Sequence, residues 1–350
     1  MDDKTVKARQ SVEKFRAEIG AGAPVGLYVL HGEERYLRDR TLESLRAIIP
    51  DNLASFNYRR FEWKSAAADD IFAAVNTPPA FAERAIVEVR DYDMFGAGES
   101  DRQTLCEIFA DLPEYICLVF VYDTVEYKPD GRTALGKAIK KYAQVVEFGS
   151  QDEARLTKWI TAHFRKLGKS IDARAAGYLV ELTDGYMASL NSEIGKLAAY
   201  VKSDSVTRAD IDNIVTPSPE AFAYQMTDAI ARGDYDAAAR VLDTLLRMRE
   251  PPHKLIFTIS LKMRQLLAAR VCADNGLGTG RLAELCGIKF EFQARTLLSA
   301  ARSMSLRECR DAALYCAQTA YAMNSGGDGE DELIKLMARL ALRRRGKTAG

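Results

Sequence analysis

The chain is 350 residues long and carries 49 Lys plus Arg against 49 Asp plus Glu, so its formal net charge is zero. At about 150 residues per domain this is two or three domains, and bulk positive charge is excluded as the main route to nucleic acid or an anionic membrane. The six cysteines show no C-x-x-C spacing and fall mostly on apolar faces, which points to buried thiols in a reducing compartment rather than disulfides or zinc ligands.

The first elements alternate between helix and strand. A helical segment with Val6, Phe15 and Ile19 leads through the Gly- and Pro-containing stretch 20–24 into 25–30, a continuous apolar run read as a buried strand. His31-Gly32-Glu33-Glu34 turns the chain into a helix. That helix carries Tyr36, Leu37, Leu42, Leu45, Ile48 and Ile49 at helical spacing and ends at Pro50-Asp51-Asn52. A second strand is predicted over 56–61.

An amphipathic segment with Ile71, Phe72 and Val75 stops at Pro78-Pro79, whose fixed φ and missing N–H forbid further helix. Strand three follows at 86–89. After a Gly-rich loop at 95–98 and a helix holding Leu105, Ile108 and Phe109, residues 115–123 make the clearest strand of the chain. A helix over 132–142 and a strand over 145–148 complete five alternations. Strands this continuously apolar, alternating with helices, imply a parallel sheet covered on both faces. Such sheets bind ligands outside the carboxyl ends of their strands.

From Gln151 onward no strand is predicted. Four short helices, around Trp159, Ala175, Leu190 and Ile211, are joined by turns such as Leu167-Gly168 and Asp184-Gly185. Thr216-Pro217-Ser218-Pro219 reads as a linker. Longer helices follow over 222–232, 235–249, 252–274, near Leu282, and over 290–304, 306–324 and 330–345. No period is sustained over three units, which excludes a solenoid. Arg343-Arg344-Arg345 reads as the solvated end of the last helix, and 346–350 as a tail.

Phe81 stands alone among small and charged residues, between the two prolines and strand three. One reading makes it a staple that packs the loop onto its own strand. The other makes it an anchor for a partner.

A five-stranded α/β domain followed by helices is the layout of many P-loop ATPases, so the turn after strand one is the test. A phosphate loop needs G-x-x-x-x-G-K-[ST]: glycines for close backbone approach, a lysine on the phosphates and a hydroxyl on Mg²⁺. Counting from Gly32, those last positions hold Leu37, Arg38 and Asp39. Leucine removes flexibility and aspartate sets negative charge where phosphate would lie, so nucleotide hydrolysis is not expected. Arg38 is expected at the surface, paired with Glu34 or Asp39. No catalytic residues are expected elsewhere, since Glu33-Glu34 and Asp69-Asp70 diverge and no nucleophile elbow or H-E-x-x-H is present. No metal is expected either, because His31, His163 and His253 lie far apart in sequence. No apolar run reaches the ~18 residues that span a bilayer and Met1-Asp2-Asp3-Lys4 is not a signal peptide, so a soluble, cytoplasmic protein is expected.

The ordered set 27–37 (Leu-Tyr-Val-Leu-His-Gly-Glu-Glu-Arg-Tyr-Leu), 76–84 (Asn-Thr-Pro-Pro-Ala-Phe-Ala-Glu-Arg) and 118–121 (Leu-Val-Phe-Val) resembles the delta subunit of the bacterial DNA polymerase III clamp loader. The likeness continues through Trp159-Ile160, Leu167-Gly168, Asp184-Gly185, Leu190, 193–197 and Arg264-Gln265-Leu266-Leu267. It implies α/β plus all-α architecture: an AAA+-like five-stranded parallel sheet domain over 1–150, a small helical lid over 151–217, and a C-terminal helical collar for oligomerisation over 218–345.

It also implies a role without a cofactor of its own. The subunit binds the ring-shaped sliding clamp (the beta subunit) and favours its opened interface, in a complex with motor (gamma/tau) and delta-prime subunits that loads primed DNA. By this resemblance the clamp contact is Phe81 with Ala80, where the family commonly has a larger residue at position 80. The lid arginine that senses nucleotide in active relatives falls near Ala188. An active P-loop remodelling ATPase is the alternative reading, and a free-standing helical scaffold with an inert α/β domain is a third.

Overall fold

The computed structural model describes residues 3–345 other than 23, 63–66 and 289, and within that range the side chains of 10–342 other than 220. The side chains of Val6 and Arg343-Arg344-Arg345, and the tail 346–350, lie outside the described residues. The chain divides into two compact units, Met1–Gln151 and Asp152–Gly350.

The first unit runs α1 (Asp3–Gly20), β1 (Gly26–His31), α2 (Arg35–Arg46), a 3₁₀ turn (Asp51–Leu53), α3 (Ala54–Asn57), β2 (Tyr58–Glu62), α4 (Ala68–Val75), β3 (Ala85–Arg90), α5 (Glu99–Ala110), β4 (Ile116–Val121), α6 (Ala134–Tyr142) and β5 (Ala143–Glu147). The five strands form one parallel sheet in the order β2-β3-β4-β1-β5. Val29 sits between Phe120 of β4 and Val145 of β5, and Val87 of β3 between Arg59 and Leu118. The strand expected at 56–61 begins at Tyr58, because 54–57 close a short helix first.

Period-two alternation sends the strand residues into two cores. Leu27, Val29, Val87, Val89, Leu118 and Phe120 pack with Ile71 of α4, Ile108 of α5 and Ile139 of α6. Tyr28, Leu30, Ile86, Val119 and Val121 pack on the other face with Phe15 of α1 and with Leu42 and Leu45 of α2. All six residues of β4 are buried. One charge sits in the second layer: Glu88 of β3 has no solvent exposure and accepts hydrogen bonds from Arg46, Arg90 and the Tyr58 hydroxyl.

The second unit holds α7 (Glu153–Lys166), β6 (Ser170–Ile171), α8 (Ala173–Leu182), α9 (Met187–Tyr200), β7 (Ser205–Val206), α10 (Arg208–Ile214), α11 (Pro219–Arg232), α12 (Tyr235–Arg247), α13 (Pro252–Asp274), α14 (Thr279–Cys286), α15 (Glu291–Arg302), α16 (Leu306–Asn324) and α17 (Gly329–Arg345). The expectation of no strand beyond 151 is corrected by β6 and β7, a two-residue parallel pair that buries Ile171 and Val206. Two residues are too short to carry a periodic signal. Side-chain oxygens of Asp152, Asp172, Thr207, Ser218, Asp234 and Ser305 cap helix starts, each accepting from a backbone N–H in the first turn.

Helix α13 buries Ile256, Ile259, Met263 and Leu266 against α11, α14, α15, α16 and α17. Its amphipathic periodicity is weak because Lys262 and Gln265 are buried with them while Phe257 and Val271 lie on the exposed side. Ser218 donates its backbone N–H to Leu182 O at 2.8 Å, and Gln293 Nε2 donates to Asp184 Oδ1 at 2.6 Å, so the helices on either side of 216–219 pack within one unit. No helix among the described residues is long and apolar enough to cross a membrane.

Candidate functional site

The turn from β1 into α2 is stitched to the chain just after β5. Phe148 donates its N–H to His31 O at 2.7 Å, and Glu34 donates its N–H to Phe148 O at 2.9 Å. Gly32 lies between them at φ +122, where a Cβ would stand 2.4 Å from Phe148 O. Only glycine fits so close an approach with that backbone. Leu37 packs against the core on the α1–α2 face of the sheet.

Arg38 corrects its expectation. It is not at the surface but wholly buried, and beyond the expected Asp39 its Nη1 donates to Tyr122 O and its Nη2 to Asp123 Oδ1, both at 2.8 Å. Asp39 is a distant second partner, 3.7 Å from Nε and half exposed. The reason lies in helical spacing: Arg38, Thr41, Leu42 and Leu45 are the buried stripe of α2 at i, i+3, i+4 and i+7. Arg35 adds a second guanidinium to the same carboxylate, with Nε 3.1 Å from Asp123 Oδ1.

At the end of β3, Asp91 completes this cluster with a left-handed backbone, φ +52. Its carboxylate accepts the N–H groups of Asp123, Thr124 and Val125 at 2.7–3.0 Å and the Thr124 hydroxyl at 2.9 Å. Burial alone would raise its pKa, but those four hydrogen bonds to the charged form hold it below the ordinary range. The carboxyl ends of β3 and β4 and the first turn of α2 are thus tied together by side chains of this chain. The sequence reading missed both aspartates, and it missed the burial of Arg38.

The second feature is the loop between α4 and β3. Its first part caps α4, with Thr77 Oγ1 donating to Ala73 O and Asn76 Nδ2 to Phe72 O. Past the prolines, Asn57 at the end of α3 grips Ala80 at two points. Its Nδ2 donates to Ala80 O at 2.8 Å and its Oδ1 accepts the Ala80 N–H at 2.7 Å. Phe81 follows at φ +56 with 90% of its surface exposed. The staple reading of Phe81 therefore fails, since its ring is not in the core. Phe56 on α3 and Phe72 on α4, the two elements that hold this loop, are exposed as well. Asn57 had no sequence signal, being 23 residues away from the peptide it holds.

Comparison with known proteins follows the two units. A family model described as "DNA polymerase III, delta subunit" matches residues 28–149, and one described as "DNA polymerase III delta subunit, C-terminal domain" matches residues 220–339. The chain belongs to the DNA polymerase III delta subunit family. The first match contains Gly32, Leu37, Arg38, Asp39, Ala80 and Phe81, so both features described above fall inside it. The chain is similar to DNA polymerase III subunit delta of Bacillus subtilis (strain 168), 26% identical over 92% of this chain and 94% of the relative. A second relative, named probable DNA polymerase III subunit delta, from Aquifex aeolicus (strain VF5), is 22% identical over 76% of this chain and 77% of its own length. Among solved structures, the Bacillus subtilis DNA clamp loader delta protein matches with a TM-score of 0.62 at 24% identity, over 94% of this chain and 99% of that one. The fold is accordingly the one expected in its layout, a five-stranded parallel sheet unit followed by a mostly helical one.

Proposed function

We propose that this protein is the non-catalytic delta subunit of a DNA polymerase III clamp loader, gripping the sliding clamp and opening its ring, or holding it open, for loading onto primed DNA. Phe81 is the anchor and Ala80 its small neighbour in the contact. The observation that carries this reading is Phe81 itself: a 90% exposed aromatic on a loop tied down immediately before it. A large apolar side chain held out in water on a fixed mount suits insertion into a pocket of another protein, because little ordering entropy remains to be lost.

In this reading residues 1–150 are the clamp-binding domain with a degenerate phosphate loop, 151–217 a helical lid, and 218–345 the collar that joins the gamma/tau motor and delta-prime subunits. The protein works in the cytoplasm and meets DNA through the assembled complex. The competing reading, an active remodelling ATPase, needs a free lysine and free backbone N–H groups at the turn after β1. These residues do not fit a nucleoside triphosphate. Arg38 is engaged by Asp123, the Glu34 N–H by Phe148, and Asp39 occupies the position a Mg²⁺-binding hydroxyl requires.

Equilibrium binding of the purified chain to the sliding clamp of the same organism tests the proposal. Phe81→Ala is expected to weaken binding by roughly thirty- to several-hundred-fold, the range of a truncated aromatic hot spot. A wild-type chain that does not bind the clamp refutes the reading.

A further inference from the structure

We infer that Asn57 is the positioning residue of the clamp anchor, fixing Phe81 in its projecting conformation through the peptide that precedes it. The inference rests on the reading of Phe81 as anchor and adds to it the device that aims the ring.

A φ of +56 is unfavourable for a bulky aromatic, because Cβ crowds the neighbouring backbone. Packing of the ring does not hold it there, since the ring is 90% exposed. What holds it is the backbone on its N-terminal side. Ala80 O belongs to the Ala80–Phe81 peptide plane, and φ of Phe81 describes rotation about the bond leaving that plane. A carbonyl pinned at 2.8 Å therefore sets the direction from which Phe81 departs. The second bond, from Ala80 N at 2.7 Å, pins the plane before it, and Pro78-Pro79 restrict the approach further.

Asn57 is itself fixed. It is 1% exposed, and the next residue, Tyr58, is in register with Ile86 of β3, the strand that the Phe81 loop enters. Its amide imitates a neighbouring strand by offering one donor and one acceptor to one residue. Aspartate keeps only the acceptor, and serine is too short to span both atoms.

The test is a double-mutant cycle on the full chain, reading clamp affinity, melting temperature and hydrogen exchange of the Ala80 amide. Asn57→Asp and Asn57→Ser are each expected to weaken clamp binding roughly tenfold, the order set by losing one to two neutral hydrogen bonds. Asn57→Ser should speed exchange at Ala80 while Asn57→Asp, which keeps the acceptor for that N–H, should leave it protected, and either change should leave affinity within about twofold when made in the Phe81→Ala background, where no ring remains to be aimed. Equal losses with and without Phe81, or no loss at all, would overturn the positioning role while leaving the anchor intact. Failure of both Asn57 variants to fold would also overturn it, by making Asn57 a determinant of the fold. If Phe81→Ala alone leaves clamp affinity unchanged, the anchor reading itself falls and the positioning role falls with it.

Discussion

Arg38 of α2 and Asp123, just past the end of β4, meet at 2.8 Å with the arginine side chain wholly removed from water. This pair stands at the crevice where parallel α/β sheets hold ligands, and it makes the crevice self-contained. Removing the arginine would leave the Tyr122 carbonyl without this donor and Asp123 with the exposed Arg35 as its remaining counter-ion among the described residues. Arg38→Ala is therefore expected to destabilise the chain by about 3 kcal/mol, at the low end for a broken buried pair because Asp123 retains some solvent contact. Denaturant unfolding of the variant checks this. A loss below about 0.5 kcal/mol would mean the pair is energetically idle.

The same geometry predicts no nucleotide chemistry from this subunit. With Leu37, Arg38 and Asp39 engaged or unsuited, titration of the pure protein with ATP and Mg²⁺ is expected to give no micromolar binding and no turnover. Arg38→Lys should not create either, since the lysine would face Asp123 rather than an open loop. Saturable binding accompanied by Mg²⁺-dependent phosphate release would return the remodelling ATPase to first place.

Much of the sheet is legible in the sequence because β1, β3 and β4 are buried on both faces and so read as unbroken apolar runs. The crevice is less so. Arg38 shares its helical stripe with Thr41, Leu42 and Leu45, a spacing visible in the sequence, yet its charge argues for the surface unless a buried carboxylate is known to await it. Asp123 and Asp91 acquire their roles only when adjacent strands end side by side. The hold of Asn57 on Ala80 depends on the β2–β3 register, a tertiary fact without local pattern. Phe81 is conspicuous for the small residues around it, but its left-handed backbone is not written in those residues.

Glu88 gives a prediction in pH. Burial pushes its pKa up, but hydrogen bonds from Arg46, Tyr58 and Arg90 outweigh that and hold it below its ordinary value of 4.5. Burial, and after it the same carboxylate, push the Tyr58 hydroxyl up to about 12. A carboxylate with a depressed folded-state pKa contributes stability that is fully present above the unfolded pKa and is lost as pH falls through the folded one. Glu88→Gln should thus cost about 2–3 kcal/mol at pH 7, less than in a fully dry pair because Arg46 keeps partial exposure. The difference should shrink as pH falls below 4.5, where the unfolded chain takes up a proton that the folded carboxylate still excludes. Urea midpoints at pH 7 and pH 3 decide it, and a gap that is constant across pH would assign the effect to packing alone.

The helical unit offers a test of how tightly 152–217 is joined to the helices beyond. Gly185 adopts φ +69 beneath Phe290, and a Cβ there would lie 2.3 Å from the ring's Cζ and 3.1 Å from Leu156 Cδ1. The ring is buried and stacked on Phe292, so it has little room to move aside. Beside it, Gln293 holds Asp184, which is also left-handed at φ +50. Gly185→Ala combines backbone strain with overpacking and is expected to destabilise the second unit by about 2–4 kcal/mol. Clamp binding belongs to the first unit in the proposed function, so the affinity of the folded variant should stay within about twofold of wild type. Calorimetry on the variant should show the transition of the helical unit lowered. An unchanged transition would mean that Phe290 swings away freely and that the contact between 185 and 290 contributes little to joining 152–217 with the helices beyond.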